Sequence, residues 1–228
     1  MFQYPHTIDN GLGERLTFLR RVSTPQGEVL ECENVVQPGG GPPMHVHHHQ
    51  EESLTVVQGR IGYQRPGEEP RYAGAGETVT FAPGEAHRFW NAGEDELRCT
   101  GYIRPPDSIE YFLREIYASQ KRTGAMRPDP FDAAYLSWRY RDEFAMHEIP
   151  RFVQRFVFPV QVMIGRLLGK VRAMDADLIS VAGRQELGTF WERLVQPQVF
   201  SLLFIRFGGT EGVNTARRPS DVIANGQC

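Results

Sequence analysis

Met44-His45-Val46-His47 puts two histidines two residues apart, and on a strand such residues project from the same face while Val46 points the other way. A strand with two imidazoles on one side needs a concave interior in which they can meet a common partner. Glu52 follows five residues after His47, and His87 forty residues after it. Together they make a set of three nitrogens and one carboxylate. That mixture suits one divalent transition metal (Fe, Mn, Ni, Co or Zn) better than calcium or magnesium, which take oxygen ligands.

Alternation decides which acid joins the set. A strand beginning near Glu51 directs either Glu52, Leu54 and Val56 or Glu51, Ser53, Thr55 and Val57 to the interior. The first set is the more apolar, so Glu52 is expected inside and Glu51 outside, although the turn through His48, His49 and Gln50 can shift the register. Ala82-Pro83-Gly84-Glu85-Ala86 reads as a turn delivering a strand on which His87, Phe89 and Asn91 share a face and Arg88 and Trp90 take the other. Leu54, Val56, Tyr63 and Phe89 are the expected pocket walls. Arg60 and Arg65, near Tyr63, are candidates for orienting an anionic substrate. His48 and His49 diverge as neighbours must and read as a solvated loop, while His6 and His147 have no recognisable partners.

Runs at 14–22, 28–36, 52–58, 60–64, 78–81, 88–91 and 96–104 alternate or are rich in β-branched and aromatic residues, and Gly/Pro clusters separate them. Many short strands at regular spacing imply a mainly β sandwich or barrel, whose mouth can hold one ligand. At Pro105-Pro106 the period changes. Asp107 or Ser108 can cap a helix carrying Ile109, Phe112, Leu113, Ile116 and Tyr117, with Gly124 beyond its end, and a second helix is expected to start near Pro130 with Phe131, Ala134, Tyr135 and Trp138. The expected division is therefore a barrel over 1–104, a helical extension over 105–175, and a remainder over 176–228 ending in a mobile tail. No second HxH motif follows residue 104, which excludes a tandem barrel.

At these residues the chain resembles the cupin superfamily. The first cupin motif is matched by Gly39, His45, His47, Glu52 and Gly59, and the second by Gly76, Gly84, His87 and Asn91, with Ala82 standing where the motif has proline. The resemblance spans roughly 28–104. It implies a double-stranded β-helix (jelly-roll) barrel, a metal held by His45, His47, Glu52 and His87, and a small-molecule ligand. Dioxygenase chemistry on a small enolic or phenolic substrate is the first expectation, with Glu52 as the base. Decarboxylation or isomerisation, or a binding and sensing role without turnover, is the alternative, because one fold hosts many reactions.

A net charge of −3 gives no general attraction to nucleic acid. Cys32, Cys99 and Cys228 are odd in number and lack a CxxC spacing, and the amino terminus has neither a basic start nor an apolar run. Both point to reduced thiols and a cytoplasmic location. Trp90 on the outer face and amphipathic helices suggest a homodimer. Residues 151–172 hold Arg151, Arg155, Arg166, Lys170 and Arg172 and no acid, among many apolar side chains. Pro159 interrupts a stretch too short to span a membrane. Packing of this segment on the barrel or on a partner subunit is expected over contact with a membrane surface. Val199 to Phe207 reads as a buried strand or helix.

Overall fold

The computed structural model describes residues 3–171. The expectations for Val199 to Phe207, the polar tail and Cys228 lie outside the described residues.

Two antiparallel sheets face each other. The larger has the order β1(His6–Asp9), β2(Glu14–Thr24), β3(Gly27–Val36), β10(Leu97–Arg104), β5(Glu51–Gln58), β8(Thr78–Phe81). The smaller runs β11(Phe144–Met146), β4(His45–His47), β9(Ala86–Asn91), β6(Ile61–Gln64), β7(Arg71–Ala73). This is the expected mainly β jelly roll. The runs foreseen as strands are present within a residue or two at most ends. β1, β7 and β11 are additional, the latter two only three residues long. Period-2 burial shows why the strands form. Leu30, Cys32, Asn34 and Val36 of β3 turn inward in succession, and Glu52, Leu54 and Val56 of β5 do the same. Gly101 of β10 opposes Leu54, and a Cβ there would lie 2.2 Å from the Ser53 carbonyl oxygen. Only glycine permits that approach of the two strands.

The interior holds two apolar clusters. One comprises Val36, Leu54, Val56, Ile61, Ala73, Val79, Phe81, Phe89, Leu97 and Cys99, with Tyr63 packed against it. The other joins Ile8, Leu16, Phe18 and Leu30 to Ile109, Tyr117, Leu136, Tyr140 and Phe144 from beyond residue 104. The helices therefore cover inward-facing residues of β1 to β3. The reason lies in the sheet: β1 and β2 extend it past the barrel's second wall, and their inner face needs cover.

Helix α1(Ile109–Thr123) ends at Gly124 in the left-handed conformation (φ 65°), whose N–H bonds the Gln120 carbonyl. Its buried Glu110 is clamped by Arg21 and by the Tyr4 hydroxyl at 2.7 Å. Helix α2(Pro130–Arg139) starts at Pro130 as expected, with Asp129 accepting from the N–H groups of Phe131 and Asp132. The chain then returns a strand to the barrel: β11 pairs β4 with Phe144 opposite His47 and Met146 opposite His45.

Pro159 does not break the last segment. A π-helical turn (Val153–Val157) leads directly into α3(Phe158–Leu167), the Phe158 N–H reaching back to the Val153 carbonyl. The wider turn accommodates the proline's missing donor. Phe156 and Leu167, expected to pack, are 65% and 81% exposed. No helix among the described residues is long and apolar enough to cross a membrane.

Candidate metal centre

Three strands from both sheets deliver the four expected ligands to one point. β4 carries His45 and His47, β9 carries His87 opposite His45, and β5 carries Glu52 opposite Phe81 of β8. Glu52 turns inward as the alternation argument requires. Glu51 turns out, accepting from the Tyr102 hydroxyl and Arg104 Nη2, both at 2.7 Å. The turn before β5 leaves the register as read.

His45 Nε2 lies 3.0 Å from His47 Nε2, and His87 Nε2 lies 3.1 Å from Glu52 Oε2, which is also 3.6 Å from His47 Nε2. One donor atom from each of the four falls within 4.8 Å of the others. His47, Glu52 and His87 are buried and His45 is half-buried.

The opposite edge of each imidazole is engaged as well. Nδ1 of His45 sits 2.8 Å from the Pro43 carbonyl oxygen, Nδ1 of His87 2.9 Å from the Glu85 carbonyl oxygen, and Nδ1 of His47 2.9 Å from Gln50 Oε1. A carbonyl oxygen only accepts, so each Nδ1 must donate. Gln50 is oriented in turn, because its Nε2 donates to the Pro106 carbonyl at 3.2 Å. In their neutral forms the three rings thus direct three Nε2 lone pairs and one carboxylate at each other. Such an acceptor-only cluster is held together only by positive charge at its centre, from a cation or from protons.

The electrostatics agree. Burial, reinforced by the other two imidazoles, pushes His45 down to about 3, and burial also lowers His47. Neutral rings are what a metal requires. Burial works to raise the Glu52 carboxyl, but where protons supply the central positive charge the hydrogen bond from His87 and the neighbouring imidazoles outweigh that and hold it down to about 2. It is a carboxylate throughout the physiological range.

Aromatic rings hold the histidines in place. Phe81 stacks on His87 with centroids 3.8 Å apart, and Phe144 meets His47 edge-on at 5.3 Å. The backbone ties the two halves of the site together, the Gly84 N–H donating to the His47 carbonyl at 2.7 Å. Asn91 pins the turn after β9, where its Nδ2 donates to the Val36 and Asp95 carbonyls and its Oδ1 accepts from the Gly93 N–H.

Of the expected pocket walls, Leu54, Val56 and Phe89 are fully buried members of one core cluster and Tyr63 packs at its edge. Arg65 is engaged by Glu85, and Arg60 lies over the Tyr72 ring at 4.3 Å. Trp90 lies against Gly62, where a Cβ would come within 2.4 Å of its ring. His49 and His147 are exposed. Burial pushes the Cys32 and Cys99 thiols up to about 12, so neither is a nucleophile.

Two contributors escaped sequence reasoning, Gln50 and Phe144. A glutamine after a histidine run carries no signal of its own, and Phe144 is recruited by a strand pairing across almost a hundred residues. A further polar group shares the interior: Glu14, buried and hydrogen-bonded by Tyr117 and Asn34, whose carboxyl burial raises.

Residues 33–101 match the family model for the cupin domain. Over these residues the barrel is a cupin domain. Among solved structures, a double-stranded β-helix protein of Klebsiella pneumoniae is 18% identical, the match covering 47% of this chain and 84% of that one at a TM-score of 0.36. A cupin-superfamily sugar phosphate isomerase of Silicibacter pomeroyi is 15% identical over 45% and 73% of the two chains, with a TM-score of 0.38. A predicted oxalate decarboxylase of Thermotoga maritima is 20% identical over 43% and 90%, with a TM-score of 0.35. A search of curated protein sequences finds no match.

Proposed function

We propose that this cupin is a metal-dependent enzyme that holds one divalent transition ion (Fe, Mn, Ni, Co or Zn) through His45, His47, Glu52 and His87. Its substrate class is a small enolic or phenolic molecule, and its reaction a dioxygenase-type oxidation. The supporting observation is the acceptor-only cluster, three Nε2 atoms and a carboxylate within 4.8 Å of one another with every Nδ1 engaged elsewhere. When bound, such an ion supplies Lewis acidity or activation of dioxygen.

The chain's own residues support that substrate class. A carboxylate held down to about 2 is a firm ligand and a weak base. As a proton acceptor Glu52 therefore suits an acidic O–H, as in an enol or phenol, and not an unactivated C–H. Gln50, the Pro43 carbonyl and the Glu85 carbonyl keep the three Nε2 lone pairs inward. Leu54, Val56, Phe89 and Tyr63 supply the apolar wall beneath the centre.

Elemental analysis of purified protein should find about one transition-metal ion per chain, and His47→Ala should lose most of it because a direct ligand is gone. Unchanged metal content in that variant removes the site. Oxygen uptake across a panel of enols and phenols tests the reaction. Metal retention with no uptake leaves a decarboxylase, an isomerase or a non-catalytic binder.

A further inference from the structure

The helical segment at residues 151–167 is held on one side and, among the described residues, bare on the other. On the held side Pro159, Val162 and Gly165 are buried, and Gly165 lets the Phe131 ring of α2 approach to where a Cβ would sit 2.6 Å from it. Gln161 Nε2 donates to the Pro130 carbonyl at 2.9 Å, and Gln154 Nε2 to the carbonyls of Met146 and Ile149. These contacts fix which face looks outward. That face carries Phe152, Phe156, Val157, Val160, Ile164, Leu167 and Leu168, between 44% and 81% exposed. Steps of three or four residues, with Phe156 beside Val157 and Leu167 beside Leu168, make one continuous stripe roughly 25 Å long at the rise of a helix.

Arg151, Arg155, Arg166 and Lys170 are exposed along the same segment, and residues 151–172 contain no acid in a chain whose net charge is −3. Large apolar side chains bordered by cations on an otherwise acidic molecule define an interfacial helix. A second copy of the chain fits the stripe poorly. A symmetric dimer sets the patch against itself, so these cations would face one another with no carboxylate on the segment to pair with.

We propose that residues 151–168 are a membrane-surface anchor that lays the apolar stripe into the headgroup region of an anionic bilayer, with Arg151, Arg155, Arg166 and Lys170 meeting lipid phosphates and carboxylates. The segment lies in the interface and does not cross it.

Co-sedimentation of the full-length protein with phosphatidylcholine vesicles, with and without phosphatidylserine, tests this. Binding should require the anionic lipid and collapse at 1 M salt, where the Debye length is about 3 Å. Arg155→Gln combined with Arg166→Gln should weaken partitioning roughly tenfold or more. Phe156→Ala with Leu167→Ala and Leu168→Ala should abolish it while leaving thermal unfolding unchanged, because these side chains are exposed in the folded protein. Failure of the unaltered chain to sediment overturns the proposal, as does equal binding to neutral vesicles. A triple variant that keeps its vesicle binding also overturns it. So does one that loses thermal stability or converts a light-scattering dimer to monomer, since the stripe would then cover protein.

Discussion

Two imidazole nitrogens 3.0 Å apart with lone pairs facing repel one another, and what keeps His45 and His47 in that arrangement is the hydrogen bonding on the far side of each ring. For His47 that partner is a side chain, which makes the arrangement testable. Gln50→Leu leaves the Nδ1–H and the Pro106 carbonyl without partners and frees the ring to turn. Metal affinity should fall about 10- to 100-fold, as when other hydrogen-bond partners of metal-bound histidines are removed, and Gln50→Glu, which keeps an acceptor, should recover much of it. Isothermal titration with the metal that the native protein carries measures both, and an unchanged affinity in Gln50→Leu would show that Gln50 only packs. The neighbouring acids give a second comparison. Glu52→Gln removes an inward carboxylate and should lower metal affinity strongly, whereas Glu51→Gln disturbs only the Tyr102 and Arg104 contacts on the outer face. Equal losses would mean that the carboxylate acts through general charge and not through coordination.

At the scale of elements, β11 has the largest effect for its length. Its three residues bring Phe144 against the rings of His47 and Phe112, join the extension to the strand that carries His45 and His47, and seal the edge of the smaller sheet beside β4. Phe144→Ala should cost about 3–5 kcal/mol in chemical denaturation and loosen metal binding as well; a cost below about 1 kcal/mol would reduce β11 to an ornament. This strand also marks where the sequence stops being legible. Glu52, Leu54 and Val56 could be placed because eight residues of alternation leave one consistent register. The histidine parities followed in the same way, and Gly124 and Pro130 announced helix ends through backbone geometry alone. Phe-Ala-Met between charged neighbours offers no period to read, and it becomes a strand only because β4 presents an unpaired edge. The continuity of the last helix through Pro159 is hidden for a related reason: a π-helical turn is an accommodation between neighbouring turns, with no composition of its own. The exposure of Phe156 and Leu167 runs against the sequence because a rich apolar run ordinarily finds cover within the protein.

On the scale of the whole molecule, the centre joins the two sheets. Glu52 belongs to the larger one and His45, His47 and His87 to the smaller, so an ion at their meeting point bridges the walls of the barrel much as a disulfide joins distant strands. An ion that binds the folded chain and not the unfolded one stabilises it by mass action, by about 2.7 kcal/mol when free metal stands at 100 times its dissociation constant. For a folded body of this size each kcal/mol moves the midpoint by roughly 2–4 °C, so metal-loaded protein should melt about 5–10 °C above the same protein after chelation and dialysis. The His47→Ala variant supplies the control that separates a bridging ion from adventitious binding elsewhere: it should melt near the chelated protein and gain nothing from added metal. If loaded and stripped protein instead unfold at the same temperature by calorimetry, the ion does not join the sheets. If His47→Ala gains as much from metal as the unaltered chain, the stabilising ion sits somewhere other than between β4, β5 and β9.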